Sequence, residues 1–63
     1  MPAKESIIAF CKRIIETKGN ASTKDAKECG IPFGYWFEWA SVHISNEQRV
    51  VNAKKVLAKY GVD

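Results

Sequence analysis

Between Lys4 and Thr17 the apolar residues Ile7, Ile8, Cys11, Ile14 and Ile15 recur at three- and four-residue intervals, with Phe10 on the edge of the stripe and Glu5, Ala9, Lys12, Arg13 and Glu16 opposite. This period follows the α-helical turn and predicts an amphipathic first helix. Gly19 stands where the chain should leave that helix in a left-handed conformation, and Asn20 extends the turn. Ser22-Thr23-Lys24-Asp25 then reads as a capping box, in which the serine oxygen accepts from a free backbone N–H and the aspartate reaches back to the cap. A second helix is expected to start there.

That helix is short, because Gly30 follows Cys29 at a position that favours positive φ, with Ile31 able to fold back on Ala26. Pro32 suits the first position of a third helix, expected from Pro32 to His43, since its missing N–H would go unpaired there anyway. Ser45-Asn46-Glu47-Gln48 is a second capping box and opens a fourth helix. Along it Val50, Ala53, Val56, Leu57 and Tyr60 form the apolar stripe, and Gln48, Asn52, Lys55 and Lys59 a polar one. Gly61 ends it, with Val62 placed to pack on Leu57. Alternating β-branched runs and repeats are absent, so the expected architecture is all-α: one compact four-helix domain over residues 1–63.

A chain of 63 residues buries only about 60% of the surface its unfolded form exposes, so its stability depends on efficient helix packing or on a second subunit. With 46% hydrophobic and 27% charged residues it is expected to fold rather than remain disordered. The longest apolar run outside the aromatic cluster, Ile7 to Cys11, is far short of the about 20 residues a membrane helix needs, and no membrane partner is expected. The opening "MPAKES" lacks an apolar signal core, so the cytoplasm is the expected location. In that reducing setting Cys11 and Cys29 are expected as core thiols rather than a disulfide. Spacings of 18 and 14 residues separate them from each other and from His43, without the close pairs of structural zinc sites, and no metal or other cofactor is expected. The chain carries no nucleophile elbow, paired-carboxylate motif or phosphate loop, so a non-enzymatic role is expected.

The net charge of +3 is concentrated at the two ends, in Lys4, Lys12, Arg13 and Lys18 and again in Arg49, Lys54, Lys55 and Lys59, while residues 22–44 are slightly acidic. Both ends would attract a partner with a negative field. The intervening "STKDAKECGIPFGYWFEWAS", residues 22–41, resembles the helix-turn-helix of Cro-type phage repressors, most closely in "TKDAKECGI". Ala26 matches the small residue where the two helices of that unit touch, Gly30 the turn glycine, and Ile31, Trp36 and Trp39 the buried positions that follow. The resemblance covers about a third of the chain. It implies a reading helix in the major groove of double-stranded DNA, a role in transcription regulation, and a homodimer, since such helices usually work in pairs.

In that family the outward reading positions are polar; carried over, they fall on Phe33, Gly34, Phe37 and Glu38. Purines are read by Arg, Lys, Asn or Gln, whereas a phenylalanine suits a thymine methyl and Glu38 the amino group of cytosine. Affinity for duplex DNA must therefore come from phosphate contacts by Thr23, Lys24 and Lys27 on the second helix and by Lys54, Lys55 and Lys59 on the fourth.

A different class of function is open at the same point. "CGIPFGYWFEWASVH", residues 29–43, puts four aromatics into positions 35–39 and holds no lysine or arginine. Five consecutive helical residues cover more than one circumference, so with Trp36 and Trp39 packed inside, Tyr35 or Phe37 is left outside beside Phe33. Phe33, Tyr35 and Phe37 would then be the partner-binding face of a small protein-interaction module or of a phage-type inhibitor of a host protein. Stacking of single-stranded nucleic acid on Tyr35 or Phe37 is a third option. The lysines of the fourth helix also fit an ordinary solvated face.

Overall fold

A computed structural model of the chain describes residues 3–32 and 44–62. Among the described residues there are three α-helices and no strand: α1 (Lys4–Glu16), α2 (Thr23–Glu28) and α3 (Asn46–Lys59), the last being the helix expected fourth along the chain. The all-α class therefore holds. The helix expected from Pro32 to His43 lies outside the described residues apart from Pro32, so of the helix-turn-helix resemblance only α2 and its glycine turn are described.

All three helices end in the same way. The N–H of Gly19 donates to the Ile14 carbonyl (2.8 Å) and that of Lys18 to Ile15 (3.0 Å); Ile31 and Gly30 do the same to Ala26 and Lys27, and Val62 and Gly61 to Leu57 and Ala58, at the same two distances. This paired pattern is the Schellman motif, which satisfies carbonyls that a helix end would otherwise leave open. Gly30 and Gly61 fill the left-handed position, as the sequence predicts. After α1 the position belongs instead to Lys18, with φ 56°, and Gly19 follows in the same region with φ 88°.

At the N-termini, Ser45 accepts from the Gln48 N–H at 3.1 Å. At α2 the stronger half of the capping box is the carboxylate: Asp25 Oδ2 accepts from the Ser22 N–H at 2.8 Å and from the Ser22 hydroxyl at 3.2 Å.

α1 is the central element. α2 lies along its Ser6–Phe10–Arg13 side, where Arg13 meets Asp25 and the Gly30 backbone faces the Ser6 side chain. α3 runs antiparallel to α1 on the other side: Lys4 sits over the Tyr60 ring, 5.9 Å from its centroid, while Arg49 reaches the Gly19 carbonyl at the opposite end. Packing on two sides buries a wider arc of α1 than one stripe would need. Ile7, Phe10, Cys11 and Ile14 are buried with Ala26, Ile31, Ala53 and Leu57. Phe10, expected on the stripe's edge, is thus fully inside, and Ile8 and Ile15 become the half-buried flank. Both cysteines are free thiols; burial pushes Cys11 up to about 12 and raises Cys29 as well, which disfavours the thiolate at both.

Candidate nucleic-acid interface

α2 has two chemically different flanks. With about 100° between successive residues and Ala26 facing the core, Asp25 and Glu28 fall on one side while Thr23, Lys24 and Lys27 fall on the other. Arg13 of α1 faces the acidic side: its Nη1 lies 2.8 Å from Asp25 Oδ1 and 3.3 Å from Glu28 Oε2. One guanidinium therefore answers both carboxylates of the helix. Lys24 and Lys27 are exposed, Thr23 is half-buried beside them, and among the described residues no carboxylate lies within ion-pair distance of either lysine. The lysine flank thus faces solvent without an ion-pair partner among the described residues, beside the half-exposed Glu28.

The Asp25 carboxyl is held below the usual carboxylate range, first by the Ser22 backbone N–H and further by the Arg13 guanidinium. A lowered folded-state pKa contributes stability that is fully present above the unfolded value of about 3.9 and is lost as pH falls through the folded value. Thermal midpoints of wild type and Asp25→Asn should accordingly differ at neutral pH, with the wild type higher, and converge as pH drops below about 4. A gap that persists unchanged at acid pH would mean that the carboxylate charge is not what holds α2 to α1.

On α3 the expected phosphate-binding lysines separate. Lys55 and Lys59 are exposed on the side away from the core, in one stripe with Gln48 and Asn52, whose side chains are joined at 2.9 Å. Lys54 lies about 100° around the helix and lines an open apolar groove of about 570 Å³ formed with Ile15, Leu57, Ala58, Gly61 and Val62. α2 and α3 each pack on α1, and their backbones do not approach each other closely among the described residues. The structure thus places Thr23, Lys24 and Lys27 in one patch and Lys55 and Lys59 in another, with Lys54 apart. Phe33, Gly34, Phe37 and Glu38, and the alternative partner-binding set Phe33, Tyr35 and Phe37, lie outside the described residues.

Two contributors were not singled out by the sequence pattern. Arg13 reads as one more solvent-facing residue of α1, yet it crosses to α2; the only signal was that Asp25 and Glu28 share a helical flank and need a cation. Arg49 reads as part of the basic C-terminal end, but Nη1 donates to the Gly19 carbonyl (3.2 Å) and to Asn46 Oδ1 (2.8 Å), while Asn46 Nδ2 donates to Asn20 Oδ1 (2.7 Å). These bonds clasp the α1–α2 turn to the start of α3. Among the described residues no cluster of His, Cys, Asp and Glu side chains could hold a metal ion, and no helix is long and apolar enough to cross a membrane. No known protein family, curated protein or solved structure matches the chain.

Proposed function

We propose that the chain is a small DNA-binding, transcription-regulating protein that holds duplex DNA through its phosphates. What carries this reading is the division of α2: Arg13 pairs with Asp25 and Glu28 on one flank, and Thr23, Lys24 and Lys27 form a basic strip on the other, with no ion-pair partner for either lysine among the described residues. In the helix-turn-helix arrangement that residues 22–41 resemble, the first helix crosses the sugar–phosphate backbone, and a strip of this kind suits that position. Lys55 and Lys59 add a second set of phosphate contacts from α3. Lysine–phosphate contacts release counterions and carry little sequence information, so binding is salt-sensitive and tolerant of sequence.

The test is the Lys24→Ala/Lys27→Ala double variant, titrated against several unrelated duplexes. Both side chains are exposed, so the fold should be unaffected. Affinity should fall by a similar factor on every sequence, and the slope of log affinity against log salt should shrink by about 2, one per lost contact. Unchanged affinity would remove α2 from the interface and leave the aromatic segment at 33–37 as the place to seek a protein partner.

A further inference from the structure

α3 carries two adjacent stripes with the same alternating spacing of three and four. The inner one, Val50, Ala53, Leu57 and Tyr60, packs toward α1. The outer one, Glu47, Val51, Lys54 and Ala58, faces solvent along its whole length, and the exposed Gly61 follows just past the helix end. Val51 is 44% exposed and is the one large hydrophobic residue so exposed among those described. Ala58 and Gly61 are small enough for another helix to approach closely, and the apolar groove beside Lys54 extends the same surface. Neither Glu47 nor Lys54 has an ion-pair partner among the described residues.

We propose that the outer stripe of α3 docks against the same stripe of a second copy of this chain. The charge pattern selects that occupant. An acidic residue one turn before Val51 and a basic residue one turn after it form a self-complementary strip. If two α3 helices cross antiparallel with the two-fold axis near Val51, the valines meet at the axis and Glu47 of each copy faces the partner's Lys54 on either side. A parallel pairing would set like charges against each other. A single helix crossing buries less than the about 1,200 Å² of a stable interface, so the association is weak and concentration-dependent. It stands apart from the DNA reading because it is measured with no nucleic acid present.

Sedimentation equilibrium of the full chain over a wide concentration range tests it. Wild type should show a monomer–dimer equilibrium. Glu47→Lys and Lys54→Glu, both at exposed positions, should each weaken it about tenfold, and the double reversal should restore it to near wild type, since the pair is regenerated with the signs exchanged. Val51→Ser should abolish the dimer while leaving helicity by circular dichroism intact. A wild type that remains monomeric throughout overturns the proposal, as does a dimer in which the two reversals fail to compensate.

Discussion

Phe10→Ala should remove most of the folding free energy of the domain. The ring is 1% exposed at the centre of a core shared by all three helices, on the side of α1 that meets α2. Truncating a buried phenylalanine costs about 3–5 kcal/mol, from lost transfer energy and from the cavity left behind. At about 0.05–0.15 kcal/mol per residue, a chain of 63 residues has only about 3–9 kcal/mol in total. The variant is therefore expected to lose its cooperative urea transition at 25 °C, or to show a midpoint close to zero denaturant. A loss below about 1 kcal/mol would place Phe10 at the surface and contradict the two-sided packing of α1.

Gly19→Ala should be nearly as damaging for a different reason. A Cβ at Gly19 would fall against the Asn46 carbonyl oxygen and within 2.7 Å of the Asn46 Cα, and these are backbone atoms that cannot rotate away. At φ 88° the alanine also takes a left-handed conformation, which costs about 1–2 kcal/mol by itself. Overpacking adds about 1–3 kcal/mol, and relief by movement would break the Arg49–Gly19 and Asn46–Asn20 bonds that tie the turn to α3. Gly61 provides the matched control: it has φ 76°, but nothing lies within 4 Å of an added Cβ. Gly61→Ala should lower stability by only the conformational share, about 1–2 kcal/mol, and Gly19→Ala by about 2–5 kcal/mol. Equal losses in chemical denaturation would show that the close approach to Asn46 contributes nothing.

Helix boundaries were legible in the sequence because they depend on local chemistry. Ser22 and Ser45, Gly30 and Gly61, and the folded-back Ile31 and Val62 each act within a few residues of their own position. What could not be read was anything set by a third element. The period of α1 places Ile7, Cys11 and Ile14 in the core, but it describes one buried face, and α2 covers a second side that takes in Phe10, engages Arg13 and leaves Ile8 and Ile15 half-buried. The positive φ at Lys18 has the same origin: Gly19 is needed one step later, where α3 comes close, so the left-handed cap falls on a residue that does not favour it. At the candidate interface the sequence identified the lysines and, by helical spacing, grouped Lys55 and Lys59 with Gln48 and Asn52. Where each stripe points follows from how α3 lies on α1, and that orientation leaves Lys54 beside the groove and Lys55 and Lys59 on the opposite edge of the exposed face.

The central claim is that α2 and α3 hold duplex DNA through phosphate contacts, and it is tested most directly by fluorescence anisotropy of a labelled random duplex titrated with the wild-type protein at low and at physiological salt. Contacts from Lys24, Lys27, Lys55 and Lys59 predict binding at about 50 mM salt that weakens about 10²-fold by about 200 mM. No binding at the lower salt, or binding that salt leaves unchanged, would contradict it.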